Sequence, residues 1–312
     1  MANHYVKKEE YSITDVAVVM LPFPAHGHMG PLLNFAGRLV SAATISLYFA
    51  GTSREIRRAM DRAHGWDPSS SANIHFHEFP TTPSLLPNIT TLVGEIKQMR
   101  DPVYTFVKQL STQYRRVVVV YDYLMSYLVQ DINHHSIQNS EAYRFHAVSD
   151  CFSFCFHHKM STTDQPDDHD QLDQLPPEAA EILKVTPSLD DSFGDPEFYC
   201  MVEGATKVFS GDIYNSNRKI EPLFLDLLEK RKLGGAEKVW ALVLKIGVEV
   251  LDWEHREEIV SADTVDKALR TLMASEEGEK IRKRAKDLGN TVKHSLMESG
   301  NEMDLFIAQI AR

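Results

Sequence analysis

The stretch Val16-Ala17-Val18-Val19-Met20-Leu21-Pro22-Phe23-Pro24-Ala25-His26-Gly27-His28-Met29-Gly30-Pro31-Leu32-Leu33 decides the fold of this 312-residue chain. Its unbroken apolar run predicts a strand buried on both faces. Pro22 and Pro24 end the run, and Asn34 to Val40 resumes with helical spacing. A strand, a tight loop and a helix result, the opening unit of an open α/β sheet. In such sheets ligands bind in the crevice beyond the carboxyl ends of the strands, which is where His28 falls. A histidine titrates near neutral pH and can take a proton from a hydroxyl, so a general base is one reading. A solvated or capping loop histidine is the other, and residue type and position alone favour it.

Downstream, Thr44 to Ala50 reads as a second strand, Arg54 to Arg62 as a charged helix, and Ile74 to Phe79 as a third strand with alternating faces. Pro80 to Pro87 is a proline-rich loop, and a helix runs from about Leu92 to Leu110. Val117 to Tyr121 is the most apolar strand and stops at Asp122. Strands alternating with helices at this spacing predict a Rossmann-like, doubly wound parallel α/β sheet with Val117 to Tyr121 near its centre. Asp122 then emerges at the same edge as His28. It can hold the imidazole in one tautomer, or cap a following helix over Tyr123 to Ile132. Spacing alone favours the cap.

Ala142 to Val148 continues the strands, Cys151 to Met160 reads as a helix, and Val208 to Asn215 as one more strand. The run from Thr162 to Leu175 carries five aspartates and fits a solvated linker better than a calcium loop. Beyond a long apolar passage from Val239 to Val248 the chain turns helical. Val265, Ala268, Leu269, Leu272 and Met273 form one stripe after a cap at Ser261 or Asp263. Ile281, Ala285, Leu288 and Val292 form a second, and Asp304 to Ala311 a terminal helix.

A net charge of −11 argues against nucleic acid as a partner. No run is apolar and long enough for a bilayer span, and the polar opening has no signal-peptide core, so the chain is expected to be cytoplasmic with no membrane partner. Three cysteines, Cys151, Cys155 and Cys200, make no disulfide framework or zinc spacing. His75 with His77, His134 with His135 and His157 with His158 lack further ligands, so no metal site is expected. There is no phosphate loop after Gly27 and Gly30, and no nucleophile elbow for a hydrolase.

These residues resemble the plant UDP-dependent glycosyltransferases, and within them the zeatin O-glucosyltransferase (cytokinin O-glucosyltransferase) group. The resemblance is carried by Leu21 to His28 with Pro31-Leu32-Leu33, by His64 to Pro68 with Asn73 to Phe79, and by Val117 to Asp122. It continues through Gly211 to Ser216, Phe224 to Leu228, Gly247-Val248, Asp252 to Arg256 and Leu272 to Gly278. It implies a GT-B architecture of two facing Rossmann-like domains. Its reaction is inverting transfer of glucose or xylose from a UDP-sugar, the donor substrate, to a hydroxyl of a small acceptor such as zeatin, with no cofactor and no metal. The resemblance makes His28 the general base and Asp122 the carboxylate that balances the imidazolium. It places acceptor binding in the N-terminal domain, with Phe23, His26, Phe79, Phe152 and Phe156 as candidate walls.

The family's C-terminal donor box breaks the pattern. Neither Trp-Ala-Pro-Gln nor His-Cys-Gly-Trp-Asn-Ser occurs, and no Asp-Gln closes such a box in the last third of the chain. The sequence before the box and the sequence after it are fused between about Leu242 and Val243. The expected organisation is an arm over 1–14, an acceptor-binding Rossmann-like domain with its linker over 15–232, and a truncated helical remnant of the donor domain over 233–312. Its helices are then loosely ordered or folded onto the N-terminal domain. A UDP-sugar would meet half a cleft, and His28 would forfeit the proximity that supplies roughly 7 to 11 kcal/mol of a barrier. The competing readings are a non-catalytic acceptor-binding or interaction protein and a mis-spliced product.

Overall fold

The computed structural model describes residues 15–43, 45–61, 73–81, 89–132, 136–162, 175–185, 210–216, 220–230, 261–298 and 300–311. The arm, the His64 to Pro68 motif, the His134-His135 pair, the aspartate run, Cys200 and the Leu242–Val243 junction lie outside them.

Six parallel strands form one sheet: β1 (Val16–Leu21), β2 (Ser46–Thr52), β3 (Ile74–Phe79), β4 (Arg116–Asp122), β5 (Ser140–His146) and β6 (Gly211–Tyr214). Their order is β3-β2-β1-β4-β5-β6, which reverses direction between β1 and β4. Ligand crevices open at such a reversal. Val16 to Leu21 are fully buried, and Leu21 lies in register with Tyr121. Both faces of the sheet are covered, so the two central strands read as continuous apolar runs. Ala17, Val19, Leu21, Val117, Val119 and Tyr121 face one core; Val16, Val18, Met20, Val118 and Val120 face the other.

Helix α1 (His26–Ala42) covers the second core and begins earlier than the sequence suggests. Gly27, Gly30 and Pro31 each disfavour a helical interior. Burial of Met29, Leu32 and Leu33 at 2%, 0% and 2% exposure overrides them. His28 is therefore a first-turn helical residue, not a loop residue.

Helix α2 (Ser53–Met60) starts at a capping box between Thr52 and Glu55. A Cβ on Gly51 would lie 2.7 Å from Glu55 Oε2, so glycine is what lets that carboxylate tuck in. Helix α3 (Ile89–Ser111) and a 3-10 helix (Tyr123–Val129) cover the first core. The expected α-helix over Tyr123 to Ile132 is replaced by this tighter form. Helices α4 (Asp150–Thr162), α5 (Pro177–Val185) and α6 (Pro222–Lys230) enclose a third core around Phe154 and Phe224.

The C-terminal helices behave in two ways. Helix α9 (Gly300–Ala311) docks on the sheet through Phe306, Ile307 and the fully buried Ile310, and Arg115 donates to the Ala311 carbonyl at 2.8 Å. Helix α7 (Ala262–Ala274), capped by Ser261, buries no residue, and Val265, Leu269 and Met273 are 42%, 54% and 64% exposed. Its turn into α8 (Glu276–Glu298) is tight: a Cβ on Gly278 would lie 2.2 Å from the Thr271 carbonyl oxygen.

Candidate active site

Strands β1 and β4 end side by side at the reversal of the sheet, and each delivers one side chain to the crevice there. The chain leaves β1 through Pro22 to Ala25 and enters α1, which carries His28 back over the sheet edge. Asp122 is the last residue of β4. His28 Nδ1 lies 2.7 Å from Asp122 Oδ2. A carboxylate only accepts, so the ring donates from Nδ1 and presents the Nε2 lone pair. Nε2 has no partner among the described residues. The Asp122 side chain is fully buried, whereas that of His28 is 14% exposed.

The second Asp122 oxygen, Oδ1, accepts from the Leu124 backbone N–H at 3.1 Å and caps the 3-10 helix. Capping and holding the imidazole, which the sequence presents as competing roles, are performed by two oxygens of one side chain. The cap fixes the carboxylate, and the fixed carboxylate orients the ring. A ring held this way, with one nitrogen donated to a buried acid and the other turned outward, has the arrangement of an acid-base pair.

Phe23 is 7% exposed and packs edge-on to His28, with centroids 5.2 Å apart. Phe156 is buried and meets Tyr123 edge-on at 5.6 Å, and the half-buried Phe152 stacks on Phe156. Phe23 thus lies against His28, while Phe156 and Phe152 lie beside Tyr123, the residue that follows Asp122. Phe79 shares the buried core of Phe23 and Phe156, but its own ring partners lie elsewhere. At the end of β3 it packs against His77 and Phe106, and it lines a separate cleft beside α2. His26 opens α1, and its side chain is outside the described ones. His75 and His77 pack on aromatic rings, His77 stacking on Phe106 at 3.7 Å. Burial holds the His77 pKa below its ordinary value.

Two features escaped the sequence reading. One is a sealed cluster on β5 and β6. Arg144 Nε donates to Asp212 Oδ1 at 2.7 Å, His146 Nε2 donates to the same oxygen at 2.7 Å, and the His146 ring stacks on Tyr123 and Tyr214. Burial works against the Asp212 carboxylate, but the His146 and Arg144 hydrogen bonds and charges outweigh it and hold its pKa below the usual range. Arginine and histidine placed on alternate positions of a strand buried on both faces were the available signal. The other is the row of arginines on α2, which reads in sequence only as a charged helix and here lines a cleft.

Residues 14–243 match the family described as glycosyltransferase, N-terminal domain. Zeatin O-xylosyltransferase of Phaseolus vulgaris is 31% identical over 241 residues, covering 73% of this chain and 48% of that protein. Zeatin O-glucosyltransferase of Phaseolus lunatus is 32% identical over 241 residues, with the same coverages of 73% and 48%. The chain thus spans about half the length of these relatives. Among solved structures, Phytolacca americana UGT2 complexed with UDP-2fluoro-glucose and pterostilbene superposes with a TM-score of 0.64. It is 12% identical, and the match covers 95% of this chain and 98% of that one. A transferase from Siraitia grosvenorii in complex with UDP gives a TM-score of 0.51 at 15% identity, covering 83% of this chain and 56% of that one. These two likenesses are of fold. With its six-stranded parallel sheet and the match over residues 14–243, the chain belongs to the glycosyltransferase family, of which it carries the N-terminal domain.

Proposed function

We propose that this chain supplies the acceptor side of an inverting UDP-dependent glycosyl transfer, binding a small hydroxylated molecule of the zeatin class in the crevice over β1 and β4. The observation that carries this reading is the 2.7 Å contact between the partly exposed His28 and the buried Asp122 at the reversal of the sheet. His28 Nε2 takes the acceptor hydroxyl proton, and Asp122 stabilises the imidazolium that forms. The acceptor oxygen attacks the anomeric carbon of the sugar, and the electron pair of the breaking bond leaves with UDP. Phe23, Phe152 and Phe156 supply an apolar wall for a planar acceptor.

The donor arm of the reaction is the weaker one in this chain, because the residue strings that hold a UDP-sugar in the family it resembles are missing from its last third. Acceptor binding is therefore expected to outlast transfer.

Calorimetric titration of the full chain with UDP-glucose, followed in the same cell by zeatin, tests this. Saturable zeatin binding without donor binding is the expected result. Saturable UDP-glucose binding would restore a complete transferase and remove the donor part of the proposal. Absence of zeatin binding, repeated with other planar hydroxylated acceptors, would contradict the acceptor part.

A further inference from the structure

A cleft of about 490 Å³ opens beyond the carboxyl ends of β2 and β3, one strand further out from β1 than the His28 crevice. Phe79 and Pro80 form its apolar side, and α2 contributes Arg54, Arg57 and Arg58; Glu95 of α3 is its one acidic lining residue. Three guanidinium groups thus face one carboxylate, in a chain whose net charge is −11.

The three arginines are not equivalent. Arg54 is paired with Glu95, whose side chain is 5% exposed, so this pair is neutral and fixed in place. Arg57 uses only Nε, donating to the Ser53 carbonyl at 3.3 Å, which leaves its terminal amino groups for a ligand. Arg58 has no hydrogen bond or ion pair among the described residues. The nearby acids are engaged with the start of α2: Glu55 accepts from the Thr52 backbone N–H at 2.7 Å, and Glu78 accepts from the hydroxyl of Ser53, itself a lining residue. Because Glu55 and Thr52 already cap α2, the helix end is closed and the free positive charge of the cleft lies on side chains. Guanidinium forks match carboxylate and phosphate oxygens and lose less hydration on pairing than an ammonium does.

We propose that this cleft binds a small molecule with a planar apolar body and an anionic group, a carboxylate or a phosphate. Arg57 and Arg58 hold the anion and the body lies over Phe79 and Pro80. That this molecule is also an acceptor rests on the function proposed above, but its binding does not require transfer.

Three probes of one skeleton test it by calorimetry on the full chain at low salt: phenyl phosphate, benzoate and the neutral benzyl alcohol. At least one anion is expected to bind tenfold or more tightly than the alcohol, and whichever anion is preferred identifies the group recognised. In the R57Q/R58Q double variant that advantage should fall at least fivefold, with an unchanged melting temperature because both positions are exposed. In H28A the advantage should persist. Equal affinity for the three probes, no binding of any of them, or an anion preference that survives R57Q/R58Q would overturn the proposal. Any of those results would leave the His28–Asp122 reading intact, since that reading is judged by zeatin binding.

Discussion

Among the described residues, two histidine–aspartate pairs share a 2.7 Å separation at the same edge of one sheet, and their surroundings make them different objects. His28 keeps 14% of its side chain exposed, shares Asp122 with nothing but a backbone N–H, and leaves Nε2 facing the crevice. His146 is 1% exposed, shares Asp212 with Arg144, and lies against two tyrosine rings. In the first pair the acid is fixed and the base has a free valence. In the second the acid is shared between a guanidinium and an imidazole, and both partners are sealed inside the core. Distance alone does not distinguish a reactive pair from a structural one; exposure does.

The largest expected effect comes from opening the sealed pair. Arg144→Met leaves Asp212 buried without its guanidinium, and breaking a buried ion pair in this way costs about 3–5 kcal/mol, read by urea unfolding. A loss below about 1 kcal/mol would show that the cluster does not hold the sheet edge together. Asp122→Ala removes both the cap of the 3-10 helix and the acceptor for His28, and about 1–3 kcal/mol of stability should go with it. His28→Ala should cost less than about 1 kcal/mol, while any glycosyl transfer the chain supports falls by about 10²–10⁴-fold, as expected for loss of a general base. An H28A protein as destabilised as R144M would erase the distinction between the pairs.

Glu221 extends the comparison to a buried acid with no cation paired to it among the described residues. It accepts from the Asp150 backbone N–H at 2.8 Å, and burial pushes its pKa up to about 7. The folded state therefore binds a proton that the unfolded chain releases at lower pH. Stability from this group is greatest below the ordinary glutamate pKa and declines as pH rises toward 7. Glu221→Gln, which keeps the acceptor oxygen, should raise Tm relative to the parent at pH 8 and do so less at pH 5. An equal difference at both pH values would contradict the sign.

Much of the fold was readable in the sequence because β1 and β4 are covered on both sides and so carry unbroken apolar runs. The same two runs, by where they stop, put His28 and Asp122 at one edge. What could not be read was set by contacts distant in sequence. Gly27, Gly30 and Pro31 spell a loop until Met29, Leu32 and Leu33 find the sheet. Arg144 and Asp212 are separated by 68 residues, and nothing in their spacing announces a pair. Asp122 offered a choice between two roles only because a sequence cannot show that its two oxygens point in different directions. The apolar stripe of α7 reads like that of any packed helix, yet Leu269 and Met273 stay exposed while Ile310 of α9 is fully covered.

The most direct test of the central claim is chemical. Brief carbethoxylation of the full chain, with each of its 14 histidines mapped by mass spectrometry, compares the two imidazoles in one sample, with and without zeatin. His28 is expected to react readily and to be protected by zeatin, while His146 stays unmodified under both conditions. Modification of His146 at a rate similar to His28, or zeatin binding that leaves His28 equally reactive, would contradict it.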